Sequence, residues 1–545
     1  MEGLMQDYEL SIQHVLWRME RLHHGKEVVT KQEQGLHRAT NGEIVRRVNR
    51  LSGALKRLGV KPSDRVATLA WNNYRHLELY YSVPCMGAVL HTLNLRLFPQ
   101  HLEFIVKDAE DKVLFVDQTL LPILKPLLGK IPSVQTIVLM GNGTPVPDGF
   151  PEMLDYETLL GAESENYPWP KISERMAAAM CYTSGTTGNP KGVVYSHRSQ
   201  FIHTMGVLQA GNLNLTEGDT VFPIVPMFHA NSWGLPYACG MAGCKVLFPD
   251  RFMGDAKSVV DLADEEGATI LAGVPTIWIN TAAYLKESGR RLPKVKSVIC
   301  GGSAIPRAVM ETMDSLGLRM LHAWGMTETS PLGSVARPRG DTRPEDELNA
   351  RLTQGAVVPG VELRICDAAT GEELPWDGVA FGEIQVRGPW IARGYHNGYD
   401  PDKLTEDGWF RTGDVAKVTP EGYIQIVDRT KDVIKSGGEW ISSVELENAI
   451  MAYPKIMEAA VIGLVHPKWD ERPVAFAVAK PEFKGQVTQE EVIDFLRDKV
   501  AKWWLPDEIR FIDEVPKTSV GKFDKKVLRA NAAPIKESAA PAARK

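Results

Sequence analysis

Ten consecutive residues, Thr183 to Gly192, read TSGTTGNPKG and gather three glycines, four hydroxyl side chains and one lysine directly behind the apolar run AAAMCY. This composition suits the wrapping of a polyphosphate. Glycines let backbone N–H groups approach phosphate oxygens, hydroxyls add donors, and Lys191 supplies a compact cation. A polar surface turn seldom needs so many φ-permissive and hydroxyl residues together. The nucleotide-binding P-loop is the sharper alternative, but it requires GK followed by Ser or Thr at the opening of a helix. Here Lys191 is followed by Gly192 and the strand-like VVYSH, which disfavours it.

Other residues carry chemistry only in context. Glu328, in TET, offers the hard carboxylate oxygen that Mg2+ prefers, yet alone it reads as a helix cap or a solvated residue. Asp414, in RTGD, could accept from paired hydroxyls, yet Thr-Gly-Asp is turn-prone. Gly437–Gly438 read either as a turn or as backbone left bare for close approach of a ligand. A lone Trp233 is ordinarily core packing.

Taken in order, TSGTTGNPKG, GGSAIP (301–306), HAWGMTETSP (322–331), RTGD (411–414), DRTKDVIKSGGEW (428–440) and PKTSVGKFDKK (516–526) resemble the motif series of the adenylate-forming ligases. That superfamily holds acyl-CoA synthetases, peptide-synthetase adenylation domains and luciferases, and the resemblance runs almost end to end. Within it, VPMFHANSWGLPY and IKSGGEWISSVELENA are most similar to medium- and long-chain fatty acyl-CoA synthetases.

The resemblance implies a role for each matching residue. ATP phosphates would lie against Thr183, Ser184, Gly185, Thr186, Thr187, Gly188 and Lys191, with Mg2+ held by Glu328 and Thr183. Trp324 would stack on adenine, with Gly302, Ser303, Ala304, Ala323, Gly325, Met326 and Thr327 around the nucleoside, Asp414 and Arg429 at the ribose, and Lys435 nearby. Lys522 would contact the reacting carboxylate and the α-phosphate. His229, Trp233, Gly301, Gly302 and Pro331 would border the acyl group, with Trp233 as an aromatic gate and His229 also counted with the catalytic residues. Lys431 matches a hinge about which a small domain rotates between half-reactions, and Gly437, Gly438, Glu439 and Trp440 would edge the tunnel for coenzyme A. Amino-acid-activating relatives commonly carry Asp where His229 follows Phe228, so an amino-acid substrate is disfavoured. Lys517, Lys525 and Lys526 are expected to form a solvated basic face.

These residues need a frame. Helical spacing from Glu43 to Leu58, the apolar run Arg65 to Trp71 and helical spacing from His76 to Met86 begin an α/β alternation that continues to about residue 320. Strand-like runs at Val113–Val116, Thr136–Met140, Val221–Val225, Cys244–Phe248 and Val295–Cys300 alternate with helical segments such as Lys257–Glu266 and Pro306–Leu316. From Gly360 to Asp428 short strands and turn signals point to a β subdomain closing the large domain. Ser443–Ala452, Glu458–Leu464 and Gln489–Ala501 then read as helix, strand and helix. The expected fold is therefore α/β: a large N-terminal domain over residues 1–430, with layered α/β sheets plus the β subdomain, and a smaller mobile α+β domain over 431–545. Residues 531–545 should fray.

The chain has 545 residues, more than one folding unit at roughly 100–200 residues per domain. Charged residues are 24% and hydrophobic ones 44%, with mean hydropathy −0.18, which excludes disorder and collagen. No run approaches the roughly 18 apolar residues of a transmembrane helix. The amino terminus lacks the features of a signal peptide, and a cytoplasmic location is expected. A net charge of −6 without a basic block argues against nucleic acid as a partner. Six scattered cysteines have no metal-ligand spacing and should be reduced core residues. Together these readings imply an ATP- and Mg2+-dependent ligase joining a carboxylic acid to coenzyme A through an acyl-adenylate, with a fatty acid as the expected acid and a homodimer as the expected assembly. A short or thioether acid such as 3-methylthiopropionate is the nearest alternative, and a catalytically silent nucleotide-binding relative is the alternative of another class.

Overall fold

The computed structural model describes residues 1, 3–141, 146–183, 189–368, 370–436, 439–517 and 523–533. By their contacts they divide into two compact units, Met1–Leu363 with Val386–Phe410, and Arg364–Gln385 with Arg411–Lys545.

Two large sheets form the frame of the first unit. The seven-stranded sheet runs in the order Leu154–Asp155, Thr136–Met140, Val113–Asp117, Arg65–Leu69, Val89–Thr92, Ala177–Tyr182, Gly192–Ser196. Its interior strand VLFVD (Val113–Asp117) is buried at every position and pairs in parallel on both sides. That explains why it reads as a continuous apolar run instead of an alternating one. The nine-stranded sheet has Met320–Trp324, Ser297–Gly301, Ile270–Gly273, Thr220–Pro223 and Lys245–Phe248 as adjacent parallel strands. Helices cover both sheets. Asn41–Arg57 starts with a reciprocal capping box in which the Thr40 N–H donates to Glu43 at 2.6 Å and the Glu43 N–H to Thr40 at 3.3 Å. Ala256–Glu265 is capped by Asp255 and buries Val259, Val260, Leu262 and Ala263 against a core containing Phe222, Leu271, Trp278 and Val298. The strands and helices expected over this stretch are all present, with ends moved by one or two residues.

The second unit holds most of a four-stranded sheet, Glu362–Cys366, Phe381–Arg387, Phe410–Val418 and Ile424–Arg429, and a five-stranded sheet around Ile456–His466 and Asp470–Ala479. The first of these is the β-rich texture read between Gly360 and Asp428. It clusters with the C-terminal chain because its last strand is bonded to the next helix: Ser442 Oγ donates to Val427 O, and the Ser443 N–H donates to Asp428 at 2.7 Å. The 430/431 boundary read from the sequence thus falls inside the second unit. The helix expected to reach Ala501 ends at Leu496; residues 497–500 close as turns, with Lys499 N–H donating to Leu496 O at 2.9 Å, and Pro506 forbids a helical approach from beyond.

All six cysteines are free thiols and buried. Among the described residues no helix is long and apolar enough to cross a membrane.

Candidate active site

In the seven-stranded sheet, Ala177–Tyr182 and Gly192–Ser196 pair antiparallel, with Tyr182 opposite Gly192, so the segment between them is a loop closed at its root. The Thr183 N–H donates to Lys191 O at 2.9 Å and the Lys191 N–H to Thr183 Oγ1 at 3.3 Å. Ser184, Gly185, Thr186, Thr187 and Gly188 lie outside the described residues. The Lys191 ammonium is paired with Asp400 and lies 5.6 Å from the centre of the Tyr395 ring.

The remaining nucleotide candidates of this unit sit where parallel strands end, the usual place for ligands in open α/β sheets. Gly301 lies opposite Ala323 in register, so Gly301–Ala304 and Ala323–Trp324 leave neighbouring strands side by side. Gly302, Ser303 and Ala304 are exposed. His322, kept neutral by burial, holds Ser303 O at 3.2 Å from Nε2. After Trp324 the chain turns sharply through Gly325, Met326 and Thr327: a Cβ on Gly325 would stand 1.4 Å from Pro331 O, so only glycine fits. Thr329 Oγ1 donates to Pro331 O at 2.7 Å and accepts from the Met326 N–H at 2.9 Å. Glu328, 5% exposed, is thereby fixed in the turn and accepts from Tyr395 OH at 2.5 Å. Carboxylate and hydroxyl oxygens at Glu328 and Thr183 are the hard donors that suit Mg2+.

The acyl candidates follow the strand Thr220–Pro223. Asn72, fully buried, grips this stretch: its amide donates to Pro223 O at 3.1 Å and Val225 O at 2.7 Å and accepts from the Met227 N–H at 2.7 Å. Beyond half-buried His229, four non-glycine residues adopt left-handed φ, Ala230 at 43°, Asn231 at 50°, Ser232 at 50° and Trp233 at 57°. Each such residue costs about 1–2 kcal/mol. Compensation comes from buried bonds: Ser232 Oγ donates to Val225 O at 2.8 Å, and Cys181 Sγ to Asn231 Oδ1 at 3.1 Å. The turn ends by laying Trp233 on Gly301, where a Cβ would come 3.2 Å from the indole. His203 supports the next residue, Gly234, and burial lowers its pKa to about 3.

In the second unit Asp414 and Arg429 lie opposite each other on paired strands and form an ion pair at 2.8 Å. Lys431 follows; burial lowers its pKa, and its carbonyl accepts from Arg529, which also pairs with Asp432 at 2.7 Å. Lys435 is exposed on the strand Ile434–Ser436, which pairs with the strand holding Glu439 and Trp440. Gly437, Gly438 and Lys522 lie outside the described residues, as does the chain beyond residue 533.

One expectation fails. Lys525 is not on a solvated face: its ammonium is buried, bonded to Glu447 at 2.7 Å and to Ser443 Oγ, while Ser443 Oγ donates to Asp428 at 2.5 Å. Burial opposes its charge, and Glu447 and Asp428 more than reverse this, raising its pKa. Consecutive lysines give no sign of which one faces inward. Lys517 keeps an exposed pair with Glu458 at 2.7 Å. The sequence reading also missed Asn72, Trp390 and Tyr395. Trp390 Nε1–H donates to Leu332 O at 2.9 Å, its carbonyl accepts from Ser330 Oγ at 2.7 Å, and the Ala392 N–H donates to Glu328 O at 2.8 Å. Of these, Tyr395 alone carries a sequence signal, the aromatic cluster RGYHNGYD, in a stretch read as part of a β subdomain.

Comparison with known proteins agrees with this geometry. Residues 17–396 match the family described as AMP-binding enzyme, and residues 445–522 match the AMP-binding enzyme C-terminal domain. A medium-chain-fatty-acid–CoA ligase of Ectopseudomonas oleovorans is 43% identical over 97% of each chain. A long-chain-fatty-acid–CoA ligase of Thermus thermophilus is 45% identical over 96% of each. A 3-methylmercaptopropionyl-CoA ligase of Ruegeria lacuscaerulensis is 42% identical over 97% of this chain and 98% of its own. Among solved structures, the anthranilate CoA ligase AuaEII with anthranoyl-AMP superposes with a TM-score of 0.85 at 26% identity, covering 97% of this chain and 98% of that one. With family models matching residues 17–396 and 445–522, and relatives matching nearly end to end, the chain belongs to the AMP-binding enzyme family of adenylate-forming acid–thiol ligases.

Proposed function

We propose that the protein is an ATP-dependent fatty acid–CoA ligase. In the first half-reaction a carboxylate oxygen attacks the α-phosphorus of ATP, giving acyl-AMP and pyrophosphate. In the second, the thiol of coenzyme A attacks the acyl carbonyl, AMP leaves, and the thiol proton passes to solvent. The observation that carries the acid's class is the left-handed turn that lays the Trp233 indole on Gly301, an apolar wall beside the ends of the nucleotide strands with no carboxylate after Phe228 to meet a substrate amine.

The chain's own residues work by charge neutralisation and placement. An ionised acid with a reference pKa near 4 needs no base, but it must approach an anionic phosphate. Lys191 and the loop behind Thr183 offset the phosphate charge, and Lys522 brings a cation to the carboxylate and α-phosphate. Glu328 and Thr183 would hold Mg2+, which when bound neutralises phosphate charge. Trp324 stacks on adenine, and Asp414, oriented by Arg429, accepts from the ribose hydroxyls. For the second half-reaction we place the rotation at Lys431, with Gly437, Gly438, Glu439 and Trp440 along the path of coenzyme A. Cytoplasmic location and homodimeric assembly belong to the same proposal, which rests there on the family resemblance.

A second acid remains in view because one relative at 42% identity is a 3-methylmercaptopropionyl-CoA ligase. The test is kcat/KM against acids from acetate to palmitate, with 3-methylthiopropionate included. Each buried methylene contributes about 0.8 kcal/mol, so kcat/KM should rise several-fold per carbon into the medium chains. A maximum at acetate or propionate, or a preference for the thioether acid over alkyl acids of similar length, would overturn the fatty-acid reading and leave the ligase chemistry standing.

A further inference from the structure

The segment Tyr395–Asp400 holds both charged groups on which the phosphate site depends, though no motif marks it. Tyr395 turns its ring toward the Lys191 ammonium, at 5.6 Å, and donates its hydroxyl to Glu328 at 2.5 Å. Asp400 completes the contact by pairing with Lys191.

The segment is anchored independently of those contacts. Asp108 Oδ1 accepts from Asn397 Nδ2 at 3.0 Å and from Tyr399 OH at 2.9 Å, and its carbonyl lies 3.3 Å from His396 Nε2. The other Asp108 oxygen accepts at 2.7 Å from Tyr182 OH, the residue immediately before Thr183. One carboxylate therefore fastens the segment to the root of the phosphate loop. Asn397 and Asp400 hold left-handed φ of 56° and 45°, which aims the Asp400 side chain back at the loop.

The pair itself is exchangeable. Lys191 is 17% exposed and Asp400 43%, so water and solutes reach the carboxylate, and a half-exposed ion pair of this kind is weak. A phosphate offers the same lysine more negative charge and several acceptor oxygens.

We propose that Asp400 is an internal stand-in for a nucleotide phosphate: its carboxylate occupies the Lys191 ammonium until ATP displaces it, while Tyr395, shared by Lys191 and Glu328, keeps those two groups in register. The inference rests on the reading that the loop from Thr183 to Lys191 receives the outer phosphates of ATP.

Calorimetric titration of the full chain with ATP, pyrophosphate and AMP, each in EDTA and without an acid substrate, tests it. Asp400→Asn should lower Kd for ATP and pyrophosphate by about 2- to 5-fold, the upper part of the range for one exposed ion pair, and leave Kd for AMP within about twofold because AMP lacks the outer phosphates. Asp402→Asn, which removes the same charge from an exposed site two residues along, should change none of the three by more than about twofold. Tyr395→Phe should leave EDTA-phase binding of ATP nearly unchanged but reduce the gain in affinity on adding Mg2+, since the bond to Glu328 is lost while the ring beside Lys191 is kept. Unchanged or weaker ATP binding by Asp400→Asn at an unchanged Tm, an equal gain for AMP, or the same gain from Asp402→Asn would overturn the stand-in role. Should Asp400→Asn fold poorly, Asp400→Ser carries the same comparison. Failure of the wild-type chain to bind ATP would overturn the ligase reading as well, whereas the other failures leave it intact.

Discussion

Two lysines show how differently the two units handle buried or half-buried polarity. Lys191, in the first unit, keeps partners that a ligand could replace: an exposed carboxylate and an aromatic face. Lys525, in the second, is enclosed by Glu447, Ser443 and Asp428, each of which is also tied to the backbone or to another member of the group. The first arrangement leaves a cation available to an incoming anion. The second uses a cation to let two carboxylates be buried together, because either one alone would carry an uncompensated desolvation cost. Three buried histidines of the first unit need no partner charge: burial lowers the pKa of His76 and His197 to about 4 and of His203 to about 3, so all three pack as uncharged rings.

The contrast breaks most severely at Lys525. Lys525→Met should cost the second unit about 3–5 kcal/mol, the penalty for removing one partner from a buried charge group. Adding Glu447→Met should recover part of that loss. Calorimetric melting of the full chain checks both, and a single-variant loss below about 1 kcal/mol would show that the network is not coupled. Lys191→Met should behave in the opposite way. Its fold should survive with a change within about 1 kcal/mol, as for an exposed pair, while acid-dependent ATP–pyrophosphate exchange falls about 10²-fold, the effect of losing one preorganised charge-stabilising donor. Loss of melting temperature in step with activity would make Lys191 structural. The smallest effect sharpens the neutral side of the comparison. His203 has a folded pKa depressed to about 3, against an unfolded value near 6.5. Its contribution is therefore present above pH 6.5 and lost as pH falls from 6.5 toward 3, because only the unfolded chain takes up the proton. His203→Gln, which keeps an acceptor for the Leu332 N–H, should flatten the fall in urea-unfolding free energy between pH 6.5 and 5 by up to about 1.4 kcal/mol per pH unit. An unchanged slope would mean that the ring titrates in the folded protein.

The sequence by itself determined what depends on local chemistry. The run Val113–Val116 read as a buried strand because it has no polar face, and Glu43 to Leu58 as a helix because its apolar residues recur at helical spacing. The segment Thr183–Gly192 stood out because glycines, hydroxyls and a lysine crowd ten positions, and Asp414 and Glu328 were singled out only by the order of the motifs around them. Only tertiary structure decided which side chains meet across long stretches of chain. Asn72 reaches Pro223 and Met227, 151 and 155 residues along the chain, and nothing about an isolated asparagine announces that reach. Tyr395 and Asp400 join Glu328 and Lys191 where Asp108 anchors their segment to the strand before the loop and Ala392 ties it to Glu328. Between the consecutive lysines Lys525 and Lys526, burial is set by the direction of one short helix, Lys525–Asn531, packed against its neighbours. Composition specifies what a residue can do, whereas packing specifies which partner it finds, because contacts between distant segments exist only after both have been buried against the same core.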